Sequence, residues 1–141
     1  MRLEKHRKAL QEVMDEIQIS LEDPRGLVAH QRRLATMLSM GTCELIEIYF
    51  HKQGVIKGGG RIKHTMLRGK DIKERLSNQI ITSLSSIRNI DAIITLAKSI
   101  EAERNNIAYG SPQPHEQLLK AKIEDFLELK RLIEKETGDI I

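Results

Sequence analysis

Apolar residues recur along most of this chain at the spacing of an α-helix, and this periodicity limits the possible folds more than any other feature. Residues 2 to 21 place Leu10, Met14, Ile17 and Leu21 on one face, with charged residues on the other. No segment shows the apolar–polar alternation of a strand. Aromatic residues make up 3% of the chain and Trp is absent, so the core must consist mainly of Leu, Ile, Met and Val. The pattern predicts an all-α fold, an antiparallel up-and-down bundle of four main helices.

The second helix is predicted to begin at a Glu-Asp-Pro stretch. Asp23 is a suitable N-cap and Pro24 a suitable first helical residue. The helix then runs to about Lys52, with an apolar stripe formed by Leu27, Leu34, Leu38, Leu45 and Tyr49. Gly41 lies on this stripe, where a small residue lets a neighbouring helix approach closely.

The remaining boundaries follow from breaks in the same pattern. The segment KQGVIKGGGRIKH contains three consecutive glycines and is predicted to be a loop, with a possible short fifth helix over residues 62–68. The helical pattern resumes from about Asp71 to Ala102, and Asn89 marks either a break or a cap within it. A last helix is predicted to start near Pro112 or Pro114 and to end after Thr137.

Length and composition exclude several classes of protein. A chain of 141 residues is expected to form one domain, residues 1–141. No apolar run approaches the roughly 18 residues of a membrane span, and the charged N-terminus lacks a signal core, so a cytoplasmic location is expected. The single cysteine, Cys43, cannot form an internal disulfide and is expected to be a buried structural thiol. No Cys/His cluster has zinc-ligand spacing, so neither a metal nor a cofactor is predicted.

Positive charge is concentrated in one part of the chain. Residues 51–75 contain eight Lys and Arg against two acidic residues, whereas the net charge of the whole chain is only +3. The glycine-rich loop in this region lacks the GK[ST] of a phosphate-binding loop. The loop is either a simple connector or an anion contact made by Lys57, Arg61, Lys63 and His64.

The segment EAERNNIAYGSPQPHE, residues 101–116, is predicted to interrupt the helices and carries the strongest chemical signal. Arg104 would lie at the end of one helix, and its planar guanidinium suits phosphate. His115 is placed in the first turn of the next helix, where free N–H groups attract anions. Asn105 and Asn106 can form hydrogen bonds in a turn. The segment is therefore either a phosphodiester or nucleotide site or a capped helix–helix turn in which Gly110 supplies unusual backbone angles.

The motif ERNNIAYGSP, between two helices, resembles the signature of the HEPN superfamily (higher eukaryotes and prokaryotes nucleotide-binding), and the upstream GGGRIKHTML is also similar to members of that group. The resemblance implies a helical homodimer whose two motifs meet in a cleft. Many members are metal-independent ribonucleases, often toxins paired with a nucleotidyltransferase antitoxin. Others bind nucleotide or RNA without cleaving it.

Carried over onto this chain, the resemblance assigns catalytic positions to Arg104 and Tyr109 and a binding position to Asn105. Tyr109 stands where the family has His, and a phenol with a pKa near 10 is a poor base at neutral pH. His64 or His115 is a candidate replacement for the missing imidazole. The full set of predicted nucleotide- or RNA-binding residues is Asn105, His115, Arg61, Lys63 and His64.

Three functions follow from these observations. The first is a HEPN-like homodimer that binds nucleotide or RNA, as a divergent metal-independent ribonuclease with weakened or lost activity. The second is a non-catalytic protein-interaction subunit of a nucleotidyltransferase/HEPN toxin–antitoxin pair, in which Tyr109 could be a target of nucleotidyl modification. The third is a purely structural role for the RNNIAYG break.

Overall fold

The computed structural model describes residues 2–111 and 114–141, and helices dominate both ranges. The α-helices in these ranges are α1 (Arg2–Glu22), α2 (Gln31–Lys52), α3 (Ile72–Ser77), α4 (Ile90–Glu101), α5 (Arg104–Tyr109) and α6 (Glu116–Thr137). Short 3-10 helices cover Leu27–His30, His64–Leu67 and Leu84–Ser86. Within the described ranges, the β-type pairing is a single isolated bridge between Ile56 and Ile80. The all-α class predicted from the periodicity is confirmed.

The predicted start of the second helix is wrong. Asp23 accepts hydrogen bonds from the backbone N–H of Arg25 at 2.8 Å and from the His30 ring at 2.7 Å, so it holds a turn instead of capping a helix. Gly26 has a φ of 87°, which takes the chain out of helical conformation. The hydrogen bonds from Arg25, followed by that from His30, hold the pKa of Asp23 well below its usual range. Helix α2 therefore begins only at Gln31, after the 3-10 helix.

The helical pattern from Asp71 to Ala102 is divided between two helices, which decides the question that the sequence left open at Asn89. Helix α3 ends at Ser77, and α4 begins at Ile90, directly after Asn89 in left-handed conformation with a φ of 59°. The Asn89 side-chain amide donates to Glu136 on α6 at 2.8 Å, which holds the break. Ile80 and Leu84 are both buried in the core, which explains the apolar spacing. Ile80 lies in a loop and Leu84 in a 3-10 helix, so neither belongs to an α-helix. The short fifth helix considered over residues 62–68 is the 3-10 helix His64–Leu67.

The last helix ends as predicted but starts later. Helix α6 begins at Glu116, so Pro114 precedes it, and Pro112 lies outside the described residues. Gly138 follows Thr137 with a φ of 72°, a left-handed conformation that terminates the helix. None of the described helices is long and apolar enough to span a membrane.

Helix α2 is the central element, and it packs against α1, α4, α5 and α6. Two other helices approach it closely at Gly41, where an added Cβ would lie 2.7 Å from Cε1 of Phe126 and 3.2 Å from Cγ1 of Val13. The close approach predicted at Gly41 is confirmed, and it involves both α6 and α1. The two ends of the α1–α2 pair are tied by His6 to Glu47 and by Glu16 to His30.

Substituting Gly41 tests this packing. We expect Gly41→Ala to lower the free energy of unfolding by about 1–3 kcal/mol, because the fully buried Phe126 ring must move to admit a methyl group. Gly58→Ala is the matched control, since no atom lies within 4 Å of a Cβ there. Urea unfolding followed by circular dichroism measures both variants. Equal stabilities would show that α6 shifts freely away from α2.

Candidate functional site

The predicted interruption after α4 is shorter than the sequence indicates. The chain leaves α4 at Ala102 and Glu103, where Glu103 adopts a left-handed φ of 65°, and it is non-helical again between Tyr109 and Glu116 in the described residues. Residues 104–109 then form helix α5, which the sequence pattern did not predict. The helix is held in place because its Ile107 and Ala108 are buried against the core. Arg104 is therefore the first residue of a helix and not the last.

A buried lysine holds the break in place. The Lys122 ammonium, on α6, donates to the carbonyl oxygens of Ser99 at 2.8 Å and Ile100 at 3.1 Å, and also to that of Ala102. Burial lowers the pKa of Lys122, because desolvation disfavours the charged form, and carboxylates such as Glu103 oppose this effect. The last carbonyls of α4 thus find their donor on another helix, and the chain is free to turn into α5.

A cavity of about 420 Å³ opens at this break. Its lining comes from the loop after the second 3-10 helix, the end of α4 and the start of α5. The lining residues are Leu67, Arg68, Gly69, Lys98, Glu101, Ala102, Glu103, Arg104, Asn105 and Asn106. Three cations, two carboxylates and two amides therefore face one space, and the excess of one cation favours an anionic ligand with hydrogen-bond acceptors.

Arg104 is a residue of this cavity with a buried and unused hydrogen-bond donor. Its Nη1 donates to the side-chain oxygen of Asn105 at 2.9 Å. Its Nε is buried, and no acceptor in the described part of the chain bonds to it. A buried donor without a partner costs about 1–3 kcal/mol, and an oxygen of a bound anion would remove that cost.

Glu101 organises the other wall of the cavity. This carboxylate is 4% exposed and accepts a hydrogen bond from the Ser39 hydroxyl at 2.5 Å. Its second oxygen lies 3.1 Å from Nδ1 of His64 and 3.3 Å from Nε of Arg68. Glu101 therefore contacts both His64 and Arg68. It links His64 to the cavity that Arg104 lines, and it holds Arg68 in the lining of that cavity.

Tyr109 lies away from the cavity. It is 71% exposed at the end of α5. It stands five positions after Arg104, which corresponds to a rotation of about 140° around the helix axis. Arg32 donates to the carbonyl of Gly110 at 3.1 Å and fixes this end of α5. Gly110 has a φ of −79°, so the expectation of unusual backbone angles is wrong. It must be small because a Cβ there would clash with the carbonyl oxygen of Asn106.

The other predicted binding residues are divided between two further places. His115 is the half-buried residue before α6 and not part of its first turn, and it is absent from the described lining of the Arg104 cavity. Arg61 and Lys63 line a separate cavity of about 610 Å³ between α1, α2 and the glycine-rich loop. Of the predicted set, Arg104 and Asn105 share the first cavity, and His64 is linked to it by Glu101.

Cys43 is buried, as predicted. Desolvation, followed by the negative charges of Glu101 and Glu44, raises the pKa of its thiol to about 12. A thiolate is the reactive form of cysteine, so this residue is a structural thiol at neutral pH.

The sequence interpretation missed Glu101 and Lys122, and both carried a detectable signal. Glu101 falls on the apolar stripe of α4, four residues after the buried Ala97. Lys122 directly precedes Ile123 and stands three residues after Leu119 on the inner face of α6. A charged residue on a helix face that is otherwise apolar must find a partner when it is buried.

A scan against protein-family models and searches of curated proteins and of solved structures found no match to this chain. The likeness to the HEPN superfamily stays a prediction based on residues 101–116, the segment GGGRIKHTML and the order of the helices.

Proposed function

We propose that the Arg104 cavity binds a phosphate group of a nucleotide or an RNA. The observation that carries the proposal is the buried, unpartnered Nε of Arg104, in a guanidinium whose Nη1 is held by Asn105. A phosphate oxygen can accept from Nε and a terminal nitrogen together, which is the bidentate geometry that distinguishes Arg from Lys.

The charges around the cavity support an anionic ligand. Glu101 is already paired with His64 and Arg68, so its charge is offset before any ligand arrives. Among the described residues, neither Lys98 nor Arg104 forms an ion pair with a carboxylate. Glu103 is the second carboxylate of the lining, and it accepts a hydrogen bond from the Asn106 amide at 2.7 Å. The two unpaired cations outnumber this carboxylate and remain available for phosphate.

The proposed assembly is a HEPN-like homodimer. Each copy would be an antiparallel bundle of the four longest helices, α1, α2, α4 and α6. Support for the dimer comes from the position of Tyr109, which is highly exposed and absent from the described lining of the Arg104 cavity of its own chain. In a dimer with the two motifs facing each other, Tyr109 of one copy would approach the phosphate held by the other. Because Tyr replaces His, we infer that this protein binds its ligand with weak cleavage or none.

Binding of a fluorescent single-stranded RNA, with EDTA present and salt varied, tests the proposal. We expect saturable binding that weakens as salt is raised, because phosphate contacts release counterions. Arg104→Ala should weaken it by roughly tenfold or more, the value of a charge-assisted hydrogen bond. Arg104→Lys should recover only part of the loss, because a lysine lacks the planar fork.

Arg88→Ala is the matched control, since this side chain is 85% exposed and belongs to another part of the surface. It should bind within about twofold of the wild type. Equal losses of RNA affinity in the Arg88 and Arg104 variants would show that the binding is non-specific electrostatic attraction. Competition by a mononucleotide would assign the site to nucleotide rather than to a longer RNA.

The exposure of Tyr109 also favours a second candidate function, as a contact or modification site for a nucleotidyltransferase partner. A hydroxyl on an exposed helix end is accessible to an enzyme, whereas the buried Tyr49 hydroxyl bonds to the Arg88 carbonyl at 2.9 Å. Transfer of a labelled nucleotidyl group to the wild type but not to Tyr109→Phe, without RNA binding by either, would favour this function.

A further inference from the structure

The second cavity holds a group of side chains that the RNA-binding proposal does not use. It lies between the start of α1, the end of α2 and the glycine-rich loop. His6, Glu47 and His51 each direct one ligand atom into the same space, and these atoms all lie within 4.8 Å of one another. We propose that His6, Glu47 and His51 bind one divalent transition-metal ion of the Zn²⁺ class.

The distances suit such an ion. Nε2 of His6 lies 3.0 Å from Oε2 of Glu47. A tetrahedral zinc with bonds of 2.0–2.1 Å separates its ligand atoms by about 3.3 Å, so a small side-chain adjustment admits the ion. Glu47 and His51 are four residues apart on α2 and therefore share one helix face.

Two of the ligands already have the orienting partners that metal sites need. Nδ1 of His6 bonds to the carboxylate of Glu44, which leaves Nε2 for the metal. Oε1 of Glu47 accepts the backbone N–H of Ile62 at 2.9 Å, which leaves Oε2. A carboxylate on the far nitrogen of a histidine ligand fixes the tautomer and raises its basicity.

The charges and the donor types define the class of ion. The carboxylates of Glu44 and Glu47 together balance the 2+ charge of the ion, and Glu47 would be in direct contact with it, whereas Lys5, Arg61 and Lys63 only line the same cavity. Two imidazoles and one carboxylate favour zinc and its neighbours over Mg²⁺ or Ca²⁺, which prefer oxygen ligands. The cavity leaves room for a water as the fourth ligand.

Metal binding would act on the basic loop. The Ile62 amide donates a hydrogen bond to Glu47 on α2. An ion bound by Glu47 and by His6 on α1 would therefore connect the loop that carries Arg61 and Lys63 to both helices. The site is structural in this proposal and separate from the Arg104 cavity. Each can therefore fail without the other, because RNA binding is measured with EDTA present.

The test uses the full chain without an affinity tag, freed of metal by a chelator, and ZnCl₂ alone as the probe. Isothermal titration should show one Zn²⁺ per chain, and thermal unfolding should shift to higher temperature with zinc. Co²⁺ in place of zinc should give the visible absorption bands of a tetrahedral site. Mg²⁺ should give neither binding nor stabilisation.

Substitutions assign the ligands. His51→Ala should lower zinc affinity more than tenfold, and Glu44→Gln should lower it about 10–100-fold through the orientation of His6. His115→Ala is the matched control and should bind zinc as the wild type does, since His115 lies outside the described lining of this cavity. Circular dichroism confirms that each variant is folded.

Three outcomes would overturn the proposal. One is the absence of saturable zinc binding to the wild type. Another is unchanged affinity in folded His51→Ala and Glu44→Gln, which would place the ion elsewhere. Equal stabilisation by Mg²⁺ would refute the assignment to the Zn²⁺ class.

Discussion

Replacing Tyr109 with His is expected to raise metal-independent RNA cleavage by roughly 100-fold or more over the wild type, the usual contribution of a positioned general acid or base. Tyr109 is 71% exposed, so the substitution leaves the core of the protein unchanged. An imidazole with a pKa near 6.5 exchanges protons at neutral pH, whereas a phenol near 10 stays protonated. The expectation depends on a second copy that brings residue 109 to the phosphate bound by Arg104.

Cleavage of a fluorophore–quencher RNA with EDTA present measures this effect. Tyr109→Phe is the control for loss of the hydroxyl and should cleave no faster than the wild type. The double variant Tyr109→His with Arg104→Ala should lose the gained activity, because Arg104 would stabilise the charge that develops on the phosphate. If Tyr109→His binds RNA as a dimer and still does not cleave, the ribonuclease hypothesis is wrong and only binding survives.

The parts of the fold that the sequence predicted are those controlled by local patterns. Helix α1, the end of α2 and the close approach at Gly41 all follow from apolar spacing or from one small residue on a stripe. The start of α2 was predicted wrongly because of a local turn, in which Asp23 bonds to Arg25 and His30. The break at Asn89 could not be decided from the pattern because its supporting contact is distant along the sequence. Asn89 is held by Glu136, which lies 47 residues away, and that contact supports the break before α4.

The candidate site divides in the same way. Arg104 and Asn105 could be selected from the sequence because their chemistry and adjacency are visible there. Glu101 could not be connected with His64 and Ser39, which are 37 and 62 residues distant, until the helices were packed. The metal-site candidate was missed for the same reason, since His6 meets Glu47 only across the α1–α2 pair.

Lys122→Met is expected to lower the free energy of unfolding by about 3 kcal/mol. Methionine has a similar length and fits an apolar surrounding, but it donates no hydrogen bond. The carbonyl groups of Ser99, Ile100 and Ala102 would each lose the Lys122 ammonium as a donor. The substitution should also weaken RNA binding, because Ala102 and Glu103 form the break that places Arg104 in the cavity.

Lys120→Met is the matched control, because Lys120 is exposed on the same helix and its replacement should change stability by less than about 0.5 kcal/mol. Urea unfolding gives the stabilities, and RNA titration of the folded variants gives the affinities. A buried charge can sometimes be replaced by an apolar residue without loss of stability. If Lys122→Met proves as stable as Lys120→Met and binds RNA equally well, the break must be held by the packing of Ile107 and Ala108 against the core. A loss of affinity with little loss of stability would instead assign Lys122 to the positioning of Arg104.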